Sequence, residues 1–310
     1  MRAAAILGPG NVSKCHKKFR RIEGVEWTDS AEQADAVVIF GGDGTVHRHL
    51  PTLVCSQVPA LIVPCGSGND FARALGLGGV RDSLDAWRKF VANENNVRMI
   101  DLGVVKHLVP NAQFAGGAPF DFPFDFTQGF GKEGRSAAHS HLQHYFCCIA
   151  GVGLDTEVAK RANALPKWMR SHGGYFLCAP REFLRFTAFP MKVSCNGDES
   201  SRFEPTILAA IANAPAYGGG MRIAPQAKLD DGNLDVCVVR GMDVFKLFCL
   251  FPTVYFGRHL SFDEVEYAQT TSVRIDTEYP LDVYADGEYV CQTPVKFSVA
   301  RNALRVIVSE

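Results

Sequence analysis

Residues 36–45 read AVVIFGGDGT, an apolar strand that runs directly into a glycine-rich loop. Three glycines in the loop allow positive φ angles and a close approach of the backbone to a ligand. The segment Val46–Val54 then predicts a helix, so that loop N–H groups and a helix N-terminus face one point, which suits a phosphate. A tight strand-to-helix turn is the alternative interpretation, because most short glycine patterns are turns.

A second loop repeats this order of strand, glycines and helix. Ala60–Val63 predicts a strand, and residues 64–73 read PCGSGNDFAR, with Asn69 or Asp70 as the N-cap of the next helix. Loops at the ends of neighbouring parallel strands face one crevice, the usual ligand position in open α/β sheets. Two such loops together favour an anion-binding cleft more strongly than either loop alone.

The common nucleotide-binding loops are not present in the sequence. Gly8-Pro9-Gly10-Asn11 follows the predicted strand Ala3–Leu7 but lacks the third glycine of the dinucleotide fingerprint, which would fall at Ser13. No Walker A pattern occurs anywhere. We therefore expect any nucleotide to be held by a different loop.

The pattern of predicted strands and helices divides the chain into two regions. Residues 1–103 alternate apolar strands with helical patterns, which predicts a parallel α/β nucleotide-binding domain. Residues 104–310 contain short β-rich runs, among them Val295–Val299 and Leu304–Val308, and turns such as Asn196-Gly197 separate many of them, which predicts an antiparallel β-sandwich-like domain. Residues 110–141 are an irregular insertion, interpreted as a mobile segment or as an apolar lid over a substrate.

Charge and cysteine content exclude several functional classes. Lys and Arg number 32 and Asp and Glu 33, so no global positive field exists to hold nucleic acid. Ten cysteines without a CxxC pair indicate reduced, buried thiols and disfavour zinc. No apolar run reaches the ~18 residues of a membrane span, and the N-terminal apolar stretch is too short for a signal peptide. The cytoplasm is the expected location.

Two acidic turns in the β-rich region are candidates for chemistry. The stretch Ala224–Val236 contains Asp230-Asp231-Gly232, whose carboxylates and carbonyls could hold a hard cation, although a polar hairpin turn explains it as well. Asp286-Gly287-Glu288 could supply a general base, although Asp-Gly is also the commonest hairpin signal. The cluster His139, His141 and His144 is interpreted as solvated histidines rather than a metal site.

Four blocks in this order resemble the diacylglycerol kinase catalytic family, the bacterial lipid kinases related to sphingosine kinases. They are GGDGT at 41–45, PCGSGNDFARALG at 64–76, NAPAYGGGMRIAPQAKLDDGNLDV at 213–236 and DGE at 286–288. GGDGT alone is shared with NAD kinases. The resemblance differs at Gly8–Asn11, where the family has Asn-Pro-x-Ser-Gly, and at His47 and Arg48, where it has Asn-Glu. The stretch before Thr28 is short, so we expect a helix to be missing there.

The resemblance implies that the active site lies in the cleft between the two domains, and it implies a set of site residues. Glu288 or Asp286 would take the proton from a lipid hydroxyl. Asp43, Asp70 and Asp101 match aspartates of a carboxylate–water network toward the active-site metal, and Asp43 is therefore included among the catalytic candidates. ATP would be bound by Asn11, Thr28, Gly41, Gly42, Asp43, Gly44, Thr45, Gly66, Ser67, Gly68 and Asn69. A structural Mg²⁺ would be held by Asp231 and by the carbonyls of Lys228 and Asn233.

The sequence-based hypothesis is therefore an ATP-dependent lipid kinase, with diacylglycerol as the first candidate substrate. The alternatives are an NAD kinase-like enzyme with a soluble substrate and a non-catalytic nucleotide- or lipid-binding module. The lipid would be met at a membrane surface, and a homodimer is one of the oligomeric states that the sequence allows. A basic and apolar pair of helices is the candidate docking patch, or simply a helix pair on a domain surface, with Lys160, Arg161, Lys167, Arg170, Arg181 and Arg185 as its cations.

Overall fold

The N-terminal region is a parallel sheet covered by helices in a computed structural model that describes residues 1–9, 12–28, 30–108, 144–164, 174–198 and 201–309. Its strand order is β2-β1-β3-β4, and all neighbouring strands are parallel. The central strand β3 is buried along its whole length, as expected for a strand covered on both faces. These four strands are β1 (Arg2–Leu7), β2 (Glu26–Thr28), β3 (Ala36–Gly41) and β4 (Ala60–Pro64).

Seven α-helices lie in the described residues. The apolar stripe of α4 buries Trp87 against the sheet, as its amphipathic spacing predicts. A helix does lie before Thr28, contrary to the expectation from the short segment, because seven residues suffice for α1. The helices are α1 (Ser13–Phe19), α2 (Asp43–Ser56), α3 (Asp70–Ala74), α4 (Val80–Val91), α5 (Leu154–Ala164), α6 (Gly174–Phe183) and α7 (Val244–Val254), with short 3₁₀ turns at Ala31–Gln33 and His259–Ser261.

The C-terminal region is antiparallel, as predicted from its short β-rich runs. From its outer edge the strand order is β14-β13-β7-β9-β8-β12-β15, with β10 pairing β9 and β11, and with β5 pairing β15 and β6. The strands are β5 (Val97–His107), β6 (His144–Phe146), β7 (Ile149–Gly153), β8 (Phe189–Cys195), β9 (Glu204–Ala212), β10 (Leu234–Arg240), β11 (Val265–Thr270), β12 (Ser272–Thr277), β13 (Asp282–Ala285), β14 (Glu288–Gln292) and β15 (Val295–Ile307).

Strand β15 joins the two regions into one sheet. It pairs with β5 along almost its whole length, with β12 near its start, and in parallel with β4 through Val306 and Ala60. The two β-rich runs expected at 295–299 and 304–308 are therefore one strand, which tolerates a register shift between Ala300 and Leu304. The division predicted at residue 103 falls within β5 and stays a prediction.

Two hydrophobic clusters form the core. One contains only residues from Val105 onward and fills the antiparallel region, with Phe146 and Phe297 in edge-to-face contact at 6.4 Å. The other extends from the parallel sheet into the C-terminal region and includes both Phe40 and Leu250. All ten cysteines are free. Cys55 and Cys249 are exposed, so the expectation of uniformly buried thiols is wrong at these two positions.

The insertion at 110–141, together with His139 and His141, lies outside the described residues. None of the helices in the described part of the chain has the length and apolar character needed to cross a bilayer.

Candidate active site

The two glycine loops predicted to share a crevice are in backbone contact. A Cβ atom added at Gly42 would lie 2.8 Å from the Cα of Gly66, which leaves no room for any side chain at this point. The amide of Asn69 closes the second loop, because its Oδ1 accepts from Gly66 N at 2.9 Å and its Nδ2 donates to Gly66 O at 2.8 Å. The loops at 41–45 and 66–70 therefore form one edge of a single cleft.

Asp43 links the first loop to the helix that follows the second loop. Its Oδ2 and Oδ1 accept from the N–H groups of Asp70 and Phe71, each at 3.1 Å. The cap of α3 is thus the carboxylate of Asp43, and Asn69 precedes the helix with φ of 56° and no capping bond. Burial first, and then the charge of Asp70, raise the pKa of Asp43 to about 6 despite the two N–H donors.

The start of α2 offers backbone donors to a ligand. Within the described residues, the N–H groups of Gly42, Asp43 and Gly44 make no hydrogen bond, whereas the next one, of Thr45, donates to Gly42 O at 2.9 Å. The Thr45 side chain is buried and packs against Gly41, where a Cβ would overlap it. Gly42, Asp43 and Gly44 are therefore the donors of this loop, while Gly41 and Thr45 shape it.

The acidic turn of the β-rich region reaches this same helix end. Asp286 and Gly287, between β13 and β14, have φ of 50° and 84°, so the turn is tight and left-handed. The first residue of β14, Glu288, is half-buried, and its Oε1 would lie 2.9 Å from a Cβ added at Gly44. The carboxylate of Glu288 therefore lies beside the N-terminus of α2.

Asp286 faces the protein interior, and its side chain is completely buried. It accepts hydrogen bonds from Cys147 N at 2.9 Å and Cys148 N at 2.8 Å, and its Oδ2 lies 3.0 Å from Nδ1 of His47. Burial alone would raise the pKa of Asp286, but the hydrogen bond and charge of His47, with these N–H donors, hold it below its usual range. Asp286 thus anchors the turn as a stable carboxylate.

A chain of buried polar contacts connects this turn to the second acidic turn. Asn213 Nδ2 donates to the carbonyls of Cys147 at 3.1 Å and Asp101 at 3.0 Å. The Asp101 carboxylate in turn accepts from Gly232 N and Asn302 N, each at 2.7 Å. The network couples the position of the 230–233 turn to that of Asp286.

The predicted metal ligands lie on this second turn. Asp231 is exposed, and its Oδ1 accepts from Asn233 N at 3.0 Å, while its Oδ2 has no hydrogen bond in the described residues. Asp230 does not join it, because Asp230 pairs with Arg98 at 2.7 Å. The free carboxylate oxygen of Asp231 and the carbonyls of Lys228 and Asn233, which belong to the same short segment, are oxygen donors of the kind that suits a hard cation.

The remaining nucleotide candidates are less close to the loops. Thr28 ends β2, one strand away from β3, and its hydroxyl accepts from Ser30 N at 3.3 Å. Ser67 is exposed on the second loop, and Gly68 lies against Asp43, whose Oδ2 would be 2.9 Å from an added Cβ. Asn11 lies outside the described residues.

Sequence reasoning treated His47 only as a departure from a motif and did not give it a role. The signal was its position four residues after Asp43 on α2, which places both side chains on one face of the helix. Cys147 and Cys148 were also missed as neighbours of Asp286. Burial raises the pKa of Cys147 far above its usual range, with the Cys148 thiol and Asp286 adding to it, so thiolate binding of a metal here is disfavoured.

Comparison with known proteins matches both regions of the chain to known domain families. Residues 11–105 match the family described as diacylglycerol kinase catalytic domain, and residues 148–308 match the YegS C-terminal NAD kinase beta sandwich-like domain. A diacylglycerol kinase of Mycobacterium tuberculosis is 29% identical over 277 residues, which are 89% of this chain and 78% of that protein. A diacylglycerol kinase of Bacillus subtilis is 23% identical over 265 residues, or 85% and 74% of the two chains.

The fold is likewise found among solved structures. The crystal structure of a diacylglycerol kinase from Bacillus anthracis superposes with a TM-score of 0.60 at 16% identity, over 99% of this chain and 96% of that one. This likeness confirms the predicted architecture of a parallel α/β region followed by a mostly antiparallel β region.

Proposed function

The chain belongs to the diacylglycerol kinase catalytic-domain family of lipid kinases, and we propose that it transfers the γ-phosphoryl group of ATP to diacylglycerol, giving phosphatidic acid. The observation that carries this proposal is the position of Glu288 beside Gly44, at the start of α2. A carboxylate next to a set of unoccupied backbone donors is the arrangement that a phosphoryl transfer to a hydroxyl requires.

The ATP phosphates are bound where the two glycine loops meet. The N–H groups of Gly42, Asp43 and Gly44 point outward from the start of a 14-residue helix, whose dipole also favours negative charge. Ser67 and Gly68 extend the donor set from the second loop. Asn11 and Thr28 remain the candidates for contacts to the adenosine portion.

Glu288, rather than Asp286, is the general base of this proposal. Asp286 has no exposed side-chain surface, and its oxygens are occupied by N–H donors, which makes it a poor proton acceptor. Its role is to position the turn, and Asp43 likewise positions the loops by capping α3. The proton of the lipid hydroxyl passes to Glu288, a bond forms between that oxygen and the γ-phosphorus, the bond to the bridging β,γ-oxygen breaks, and ADP leaves.

Mg²⁺ is the metal implied by the family, and the turn at 228–233 fits it. The free Oδ2 of Asp231 and the carbonyls of Lys228 and Asn233 are hard oxygen donors. When bound there, Mg²⁺ would supply positive charge that neutralises the Asp231 carboxylate and orders the turn. The hydrogen bonds of Asp101 and Asn213 connect that turn to the surroundings of Asp286. An ordered turn therefore also fixes the position of Asp286.

An apolar cavity supports a lipid over a soluble acceptor. Its walls come from α5, α6, α7 and the 217–223 loop, with Leu154, Val158, Phe183, Leu208, Tyr217, Met221, Ile223, Leu250 and Phe251 among the lining residues. Gly219 in this loop donates to Asp70 Oδ2 at 2.9 Å, which places the cavity next to the glycine loops. Such walls suit an acyl chain and would leave the polar groups of NAD without partners.

The test is to incubate the protein with labelled ATP, Mg²⁺ and separate acceptors: diacylglycerol, other lipids with a free hydroxyl, and NAD. We expect a labelled phosphatidic acid. Glu288→Gln should lower kcat by about 10² to 10⁴ with an unchanged melting temperature, while Glu278→Gln, at an exposed carboxylate on another turn, should leave kcat unchanged. Phosphorylation of NAD alone would establish the soluble-substrate alternative, and ATP binding without any phosphorylated product would establish a non-catalytic module.

A further inference from the structure

Helix α7 is apolar on two opposite faces. Its inner face is formed by Leu247, Leu250, Phe251 and Val254, which line the apolar cavity. A helix that is apolar all round is normally buried on every side. This one is not, because its outer positions are open to solvent.

The outer face is a continuous stripe of large apolar side chains. Phe245 is 75% exposed and Phe248 37%, three residues apart on the same side of α7, and Phe256, which is 73% exposed, lies just beyond the end of the helix. Leu184, which follows α6 and is 70% exposed, continues the stripe, because its neighbour Phe183 contacts Phe248 with ring centroids 5.4 Å apart. We call these four residues the outer α7 face.

Cationic side chains flank the outer α7 face. Arg181 and Arg185 lie on and just after α6, and Arg222 and Arg258 lie at the C-terminal end of α7, where their N–H groups donate to Val254 O and Thr253 O. All four arginines are exposed, and none forms an ion pair with a described residue. At the other end of α7, Asp243 caps the helix, Glu264 pairs with Lys246, and Asp263 is an exposed carboxylate beside Lys246.

This distribution differs from the basic patch expected from the sequence. Lys160 pairs with Glu157 and Asp282, and Arg161 pairs with Glu182, so neither cation is available to a partner. Lys167 and Arg170 lie outside the described residues. Arg181 and Arg185 of the expected patch form no ion pair with a described residue, and together with Arg222 and Arg258 they are the cations around α7 that this proposal uses.

We propose that the outer α7 face docks on an anionic lipid bilayer by inserting its phenylalanines among the acyl chains, while the four arginines contact lipid phosphates. This inference rests on the proposed function, because a lipid kinase must take its substrate from a membrane. An 11-residue helix is too short to cross a bilayer, so it lies in the interface. Helix α7 also forms one wall of the apolar cavity. A substrate acyl chain that leaves the bilayer would therefore pass around α7 to enter the cavity.

The test measures binding of the full chain to sedimented vesicles, without ATP. We expect binding to vesicles of phosphatidylcholine with phosphatidylglycerol, and weaker binding to phosphatidylcholine alone. Phe245→Ser and Phe256→Ser should each lower the partition coefficient about tenfold, because each removes a phenylalanine that would be buried among the acyl chains. The matched control is Tyr279→Ser, a 69% exposed aromatic residue between β12 and β13, and it should bind like the wild type.

A kinase assay with diacylglycerol in detergent micelles separates this proposal from the proposed function. The Phe245→Ser/Phe256→Ser variant should keep its micelle activity and lose activity on vesicles. Wild-type binding to vesicles by the double variant overturns the docking surface, whatever the kinase activity. Vesicle binding that depends on both phenylalanines, without phosphorylation of any lipid, overturns the proposed function and leaves the docking surface standing. A wild-type dimer that dissociates in the double variant, with no vesicle binding, shows that the face joins two copies of the chain and also overturns the proposal.

Discussion

Nδ1 of His47 lies 3.0 Å from Oδ2 of Asp286, and this contact joins the first turns of α2 to the hairpin of the β-rich region. His47 belongs to the helix that begins at the glycine loop, and Asp286 precedes Glu288 by two residues. The contact therefore sets how the proposed base faces the proposed phosphate site.

Loss of the His47 side chain should disturb both stability and catalysis. His47→Leu removes the imidazole that pairs with the buried Asp286 carboxylate, which should cost about 1 to 3 kcal/mol of unfolding free energy. Because the pKa of Asp286 would then rise toward or above its value in the unfolded chain, acidification should cost the variant less stability than it costs the wild type. Urea unfolding at pH 5 and pH 7 measures both effects.

His47→Asn is the matched control, because the family resemblance places Asn at this position and its amide can donate to Asp286. We expect His47→Asn to recover most of the stability and activity that His47→Leu loses. Equal loss in both variants would show that the imidazole acts through something other than this hydrogen bond.

Gly66→Ala should separate the two glycine loops. The new Cβ would overlap the backbone of Gly42, and backbone cannot move aside as a flexible side chain can. We expect the Kd for ATP, measured by calorimetry, to rise at least about tenfold, or about 1.4 kcal/mol. Gly78→Ala is the control, because its Cβ would meet only the Asp82 carboxylate at 3.4 Å, and its Kd should equal that of the wild type.

Asp155 should make the protein less stable as the pH rises. Burial in the wall of the apolar cavity raises the pKa of Asp155 to about 7, against 3.8 in the unfolded chain. The folded state therefore holds a proton that the unfolded state releases. The contribution of this proton to the stability of the folded state is present below about pH 4, falls between about pH 4 and 7, and is gone above about pH 7. The upper limit of this contribution to stability is about 4 kcal/mol. The actual contribution is smaller because Asp155 is partly accessible through the cavity.

Asp155→Asn should remove this pH dependence and raise the melting temperature at pH 8 relative to the wild type. The measurement is thermal unfolding between pH 4 and pH 8. An unchanged slope of stability against pH in the variant would show that Asp155 is ionised throughout this range.

Mg²⁺ should raise the melting temperature of the wild type through the 228–233 turn. Asp231→Ala removes the carboxylate with the free Oδ2, so the rise should disappear. Asp230→Ala removes a neighbouring carboxylate that pairs with Arg98, and it should keep the rise. A wild-type melting temperature that is insensitive to Mg²⁺, or a rise that survives in Asp231→Ala, would contradict the assignment.

The elements of the fold and the meeting of the two glycine loops were predictable from local patterns. Strand β3 and helix α2 follow from an apolar run, a glycine loop and a helical period, and parallel strands necessarily bring their loop ends to one edge. The choice between Asp286 and Glu288 was not predictable, because burial and hydrogen-bond partners depend on residues far apart in the sequence. The partner N–H groups of Asp286 come from Cys147 and Cys148, which no spacing rule connects to it.

Dependence on residues far apart in the sequence also explains why the free cations of the docking surface and the continuity of strand β15 were not predicted. Lys160 and Arg161 are basic in the sequence, but only tertiary structure pairs them with acidic side chains. The turn-like residues between Ala300 and Leu304 suggest a break, yet pairing with β5 on both sides carries β15 through it as an irregularity.

The position of β15 also constrains the order in which the protein can be assembled during synthesis. Strand β4 has β15 as its outer neighbour, and β5 runs beside β15 for ten paired residues, yet β15 emerges from the ribosome long after both. The nucleotide-binding half of a nascent chain therefore has an open sheet edge until this late strand arrives. Contacts so distant in sequence fold slowly, so the two halves should become stable together rather than one after the other.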